Sequence, residues 1–433
     1  MHGRRDLLRS AGAGALAAGA PLLDRARAWA QAQPFQPERG AQLRMLRWGK
    51  FLDAEERATN ENIRAFTAAT GVEVRVDSVW QDDVHPQVSV AANVGSGPDI
   101  AWTLQMTPQL VADKLLDLTD LADHVGAASG GWYPLIREYG MRDGRWIGVS
   151  PFIVGVLPVY RVSAVREAGF ERFPEDTDGF LRLCREMRRI GKPAGFALSR
   201  APNDGNSFSH WLLWSHGGRL VDERHRVAIN SPETLRAAEY ARELAQHFIP
   251  GTLAWNDASN NGAFLNGQVW LTNNAISIYG KALADRMEIA ADIDHAPWPI
   301  GPPGQPGELH IVFPLVVMRY TRFPNAAKAF LAFMMDRPQY ERVLENSVGY
   351  FSQGLRGYDG SPVWQRDPKV RLFRDVAARG RSLGYAGRLG PEASQALADS
   401  IVADMFAEVV GGQASPRDAV ARAERRVQRI YRS

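Results

Sequence analysis

The chain has 433 residues, 45% hydrophobic and 23% charged, an ordinary composition for a globular protein of two or three domains. Its 51 basic and 48 acidic residues fall to 46 of each once residues 1–30 are set aside, and that balance argues against nucleic acid as a partner. The single cysteine, Cys184, rules out an internal disulfide and a thiolate metal cluster, and its helical context FLRLCREM predicts a buried small hydrophobe.

Residues 1–30 read as an export signal. A charged start precedes an apolar run from Ala11 to Leu23, and Ala28 with Ala30 predicts cleavage before Gln31. The run, about 13 residues, is too short to cross a bilayer as a helix. Arg4-Arg5 ahead of a weakly apolar Ala/Gly core resembles the twin-arginine type, so a periplasmic location is expected. A polar leader follows over 31–40, then a strand over 43–49. Asp53 with Glu56 predicts a capping-box start; Ile63, Phe66 and Ala69 keep helical spacing, and Gly71 ends the helix. Residues 72–80 alternate apolar and polar, which predicts a half-buried strand. A helix over about 82–94 and a third strand over 99–102 complete a β-α-β-α-β opening. The alternation of the second strand predicts that it lies at the sheet edge, in a 2-1-3 order. Between them, Gly95-Ser96-Gly97-Pro98 follows a helix and precedes a strand, the reverse of a phosphate-binding loop.

Further along, Pro108 predicts the start of a helix, and 143–160 is a β-branched stretch fit for strands that cross between lobes. Residues 175–190 and 231–248 are helical, the latter with Ser231 at its N-cap. A Pro/Gly loop covers 298–308, a helix 324–336, and two helices are expected from Pro391 onward. No nucleotide loop, nucleophile elbow or H-E-x-x-H pattern occurs, so no catalytic residue, cofactor or metal is expected.

Aromatic and amide groups are the chemistry that remains. Trp48, Trp80 and Trp102 each end one of the first three strands, the side of an open sheet where ligands bind. An indole face stacks well on the apolar face of a sugar ring, whose hydroxyls want amide and carboxylate partners; rim packing is the alternative role for these tryptophans. Polar partners cluster at Gln81 and Asp82, at Asn203, Asp204 and Asn206, at Trp255, Asn256, Asp257, Asn260 and Asn261, and at Asn273, Asn274 and Tyr279. Asn-rich segments are also common as plain turns. Trp211 and Trp214, three apart, are either site residues or one helix's core face.

Several segments together resemble the family-1 extracellular solute-binding proteins of bacterial ABC importers, the group of maltose-binding protein. They are FTAATGVEVRVDSV with VAANVGSGPDIAW, DGRWIGVSPF with LPVYRVSAVREAGFERFPEDTDGFLRLCREM, INSPETLRAAEYARELAQ, AFLNGQVWLTNN, WPIGPPG and FPNAAKAFLAFMMD. They run in order over about 43–345; beyond 346 only the helical character matches. Tyr160-Arg161, Asp176-Thr177-Asp178 and Val269-Trp270 depart from the family pattern and leave the ligand open. The resemblance implies an α/β, two-lobed periplasmic binding protein fold of type II, each lobe a mostly parallel sheet flanked by helices, with the ligand cleft between lobes. Lobe one would take 41–153 and 296–345, and lobe two 154–295 and 346–433. Carried over, the cleft residues are Trp48, Asp82, Trp102, Asn206, Trp255, Tyr279 and Tyr350 or Phe351; Trp80 and Asn274 join them from the strand-end and polar-cluster arguments. The implied role is to bind a sugar or oligosaccharide as a monomer and deliver it to an ABC permease, without nucleic acid. An exported glycan hydrolase, which would need two carboxylates suitably spaced in the cleft, and a binding protein that reports to a membrane sensor are the alternatives.

Overall fold

The computed structural model describes residue 29, residues 32–49 and residues 52–432. The export signal expected over 1–30 lies outside the described residues, Trp29 excepted. The first sheet follows from the opening pattern. Strand β1 (Gln42–Trp48) leads to helix α1 (Asp53–Thr70), β2 (Glu73–Val79), α2 (Gln81–Val94) and β3 (Ile100–Trp102). Next come β4 (Phe152–Val154), β5 (Leu157–Arg161), α3 (Asp204–Ser215), β6 (Leu271–Asn274), α4 (Ser277–Ala284) and β7 (Ile293–His295). The chain returns through β8 (Ile311–Val312), β9 (Leu315–Val317), α5 (Pro324–Met335) and β10 (Ser352–Gln353), and ends in α6 (Pro391–Ala398), α7 (Ile401–Val410) and α8 (Pro416–Tyr431).

The first sheet has the order β9-β3-β1-β2. β1 runs parallel to β2, from Gln42 opposite Glu73 to Trp48 opposite Val79, and parallel to β3. β2 is the edge strand, which is why only one of its faces needs apolar residues. Gly71 (φ 76°) and Gly95 (φ 71°) close α1 and α2 in the left-handed conformation, donating to Thr67 and Ala91. The N-cap of α1 is Leu52, without a side-chain cap, so the expected capping box does not form; Asp53, Glu55 and Glu56 fall inside the first turn, where their charge favours the helix dipole.

The second sheet has the order β6-β5-β7. Here one detail of the expected fold differs: β5 pairs antiparallel with both neighbours, because β6 and β7 return along the crossing strand. A single parallel bridge, between Ala194 and Leu271 at the start of β6, adds to it. A third sheet, β8-β4-β10, ties the crossing region together. The Val156 N–H, between β4 and β5, donates to His310 Nδ1 at 3.2 Å, while His310 Nε2 meets Glu308 at 2.9 Å. That pair of contacts requires the hydrogen to sit on Nε2.

Two other expectations are corrected. The helix expected from Pro108 stops after Leu110, because Leu115 and Leu116 pair with Met318 and Val317 beside the first sheet. The tail forms three helices from Pro391 onward, since Ser400 takes the left-handed conformation (φ 53°) between α6 and α7. Helix α3 is buried along its whole length, and Trp211 stacks on Trp298 at 4.8 Å, so Trp211 and Trp214 serve the core. Cys184 is buried.

Candidate ligand site between the lobes

β1 and β3 end side by side and bring two of the three strand-end tryptophans into contact. Trp48 stacks on Phe313 at 4.0 Å and lies 4.6 Å from Trp102. Trp102 donates its indole N–H to the Phe313 carbonyl at 2.8 Å and lies 5.6 Å from Phe351, which stacks on Phe152 at 4.7 Å. Beneath this aromatic run Arg47 forms a forked contact with both oxygens of Glu55, at 3.1 and 3.2 Å, and its guanidinium sits 5.0 Å from the Trp102 ring. The two side chains are only 5% and 3% exposed, so this is a fully desolvated ion pair.

The opposing wall comes from the N-terminus of α3, the loop before residue 259 and the end of β6. Asp257 Oδ1 accepts the Asp204 N–H at 2.9 Å. Its Oδ2 accepts from the Asn203 side-chain amide at 3.0 Å and from Gln81 Nε2 at 2.6 Å. Gln81 opens α2, so this last bond joins the two walls across 176 residues of sequence. Asp204 Oδ2 accepts from Asn260 at 2.8 Å and from Asn274 at 3.3 Å; Asn274 in turn bonds Asn261 and Ser277. Burial pushes the Asp257 carboxyl up to about 6, and the charge of Asp82 adds to the shift. Burial, and then Asp257, raises Asp204 well above the usual carboxylate range.

Tyr350 sits between the walls. Burial raises its hydroxyl well above the ordinary value, and it feels Glu55 and Arg47 from one wall and Asp204 and Asp257 from the other. Three buried acceptors have no donor among the described residues: Gln81 Oε1, Asn206 Oδ1 and Asn273 Oδ1. Such groups are costly to leave unpaired.

Of the residues expected at the site, Trp48, Trp102, Tyr350, Phe351 and Asn274 converge here. Asn206 lies on α3 with its amide bonded to the Pro202 carbonyl. Trp80 is 45% exposed and stands at the start of α2, where its side chain hydrogen-bonds Asp82; partial burial raises the Asp82 carboxyl. Trp255 turns its ring onto Gly195, where a Cβ would lie 2.5 Å from it, and so packs into the second wall's own body. Tyr279 donates to Asp367, with His295 6.0 Å away. The Arg47–Glu55 pair was not expected from sequence: β1 alternates as far as Met45, but Leu46, Arg47 and Trp48 are all buried because both faces of the strand end are covered. Among the described residues no group of three or more His, Cys, Asp or Glu could hold a metal ion, and no helix is long and apolar enough to cross a membrane.

The comparisons with known proteins agree on the fold. Bacterial extracellular solute-binding proteins are matched over residues 61–371. A Deinococcus radiodurans protein named as an ABC transporter-binding protein is 21% identical over 56% of this chain and 58% of its own. An Escherichia coli protein named as an ABC transporter periplasmic-binding protein, YcjN, is 26% identical over 46% of each chain. The chain thus spans about half the length of these curated relatives. Maltose-bound MalE3 of T. maritima superposes with a TM-score of 0.78 at 18% identity, over 90% of this chain and 99% of its own. The GacH receptor of Streptomyces glaucescens, studied unliganded and with acarbose, does so at 0.76 and 20% identity, over 91% and 99%. With its two-lobed α/β architecture and a match over most of its length, this chain belongs to the bacterial extracellular solute-binding protein family.

Proposed function

We propose that the protein is the periplasmic solute-binding component of an ABC importer, taking a sugar or oligosaccharide between its lobes and passing it to a membrane permease. The observation that carries this reading is the pairing of a run of contacting aromatic rings, Trp48–Trp102–Phe351, with an amide-rich wall that has buried acceptors unpaired among the described residues. Sugar C–H faces suit the rings, and sugar hydroxyls suit Gln81 Oε1, Asn206 Oδ1 and Asn273 Oδ1. Maltose in one structural neighbour and acarbose in another point the same way.

Closure would follow from contacts to both lobes, because a ligand shifts an equilibrium only by binding the two states differently. Gln81 and Asp257 are the groups through which the walls would sense one another. In the same reading residues 1–30 form a twin-arginine export signal, 41–153 with 296–345 form lobe one, and 154–295 with the tail form lobe two. The test is a thermal-shift screen of the mature chain against mono- to tetrasaccharides, followed by tryptophan fluorescence with each hit. A saccharide that raises the melting temperature and changes the fluorescence supports the reading, since a ligand of the native state stabilises it by mass action. A complete absence of saccharide hits overturns it.

A further inference from the structure

We infer that the Asp204–Asp257 pair selects a ligand bearing a protonated amine, so that the cleft prefers an amino sugar to its neutral counterpart. This inference rests on the saccharide reading above and narrows it. The two carboxylates come from segments about 50 residues apart. The Asp204 N–H bonds Asp257 Oδ1, and both residues are 5% exposed. Buried neighbouring carboxylates are costly unless a proton or a cation neutralises them.

The protein supplies no such cation among the described residues. Every donor onto the pair is neutral: the backbone of Asn203 and Asp204 and the amides of Asn203, Gln81, Asn260 and Asn274. Arg47, the basic group that faces Tyr350 together with them, is committed to Glu55. The bonds onto Asp204 land on Oδ2, from the amides of Asn260 and Asn274.

A second, independent observation points to a ligand. Gln81 and Asn273 are 1% and 0% exposed, and each has one amide end tied to the acid pair: Gln81 Nε2 to Asp257, Asn273 Nδ2 to the Asp204 carbonyl. Their other ends, Gln81 Oε1 and Asn273 Oδ1, are buried without a partner among the described residues. Both of these unpaired ends are acceptors, and an ammonium has three donors and no acceptor. Burial raises both carboxyls, so an ammonium that displaced a proton from the pair would release it to the buffer.

The experiment titrates the full mature chain with glucose, glucosamine and N-acetylglucosamine, with the di- and trisaccharides of each, and with putrescine as an amine without a sugar ring. Melting temperature and calorimetry are read in two buffers of different ionisation enthalpy. The expected result is binding of an amino sugar at least about tenfold tighter than its neutral counterpart, loss of that preference on N-acetylation, and a heat that depends on the buffer. Asp204→Asn should abolish the preference, and Asp257→Asn serves if the first variant does not fold. Equal affinity for the neutral and amino members, or a preference that survives in the folded variants, overturns the inference and leaves the saccharide reading standing. Binding of putrescine alone overturns the saccharide reading and supports recognition by the acid pair. No binding by any of these probes overturns the inference.

Discussion

Replacing Trp102 separates two roles of one indole. Trp102→Ala should weaken saccharide binding by about 1–3 kcal/mol, the scale of a lost buried aromatic contact. It should also cost about 3–5 kcal/mol of stability, because the ring is packed against Trp48 and Phe351. Trp102→Phe keeps most of the packing, so calorimetry on that variant isolates the ligand contact; unchanged affinity would remove Trp102 from the site. Asp257 makes a prediction of the opposite kind. Its carboxyl is pushed up to about 6 by burial, whereas an unfolded aspartate titrates near 4. Between about pH 4 and pH 6 the folded chain therefore holds more protons than the unfolded one, and stability falls as pH rises through that window. The melting temperature should decline over that range in the native chain, and Asp257→Asn should flatten the decline. Asp204, raised by burial and by Asp257, pushes the same way.

At the scale of elements, α2 matters for its first residue. The helix places Gln81 at its N-terminal turn, directly after the edge strand, and from there the side chain reaches Asp257 at 2.6 Å. A hydrogen bond to a charged group contributes about 1.5–3 kcal/mol. Gln81→Ala should accordingly weaken ligand binding by about tenfold or more, measured by calorimetry, with little change in the fold. An unchanged affinity would mean that the contact between the walls does not contribute to closure. The element pattern itself was legible in the sequence: the β-α-β-α-β opening, the edge position of residues 73–79 and the glycine stops at Gly71 and Gly95 all follow from period and turn chemistry. Where pairing partners lay far away, the pattern misled. Residues 112–116 read as helix, but Met318 and Val317 capture Leu115 and Leu116. Propensity is a weak prior against that kind of tertiary contact.

At the scale of the whole molecule, the site is a property of the assembled chain. Trp48 and Trp102 could be placed because strand ends share one side of a parallel sheet. Gln81, Asp204 and Asp257 stood out as polar residues in irregular segments, but nothing local says that residue 81 meets residue 257. The Arg47–Glu55 pair is only eight residues apart and was still hidden, because its burial depends on how the end of β1 is covered. Removing Glu55 would leave Arg47 as an uncompensated buried charge, which typically costs about 3–5 kcal/mol, so Glu55→Ala should lower the melting temperature sharply. The central claim is that the two lobes hold a saccharide without altering it. The most direct measurement titrates the mature chain with the best saccharide from the screen in a calorimeter and recovers the ligand for mass spectrometry. One saccharide bound per chain and recovered intact is the predicted result; no saturable binding, or recovery of cleaved sugar, would contradict it.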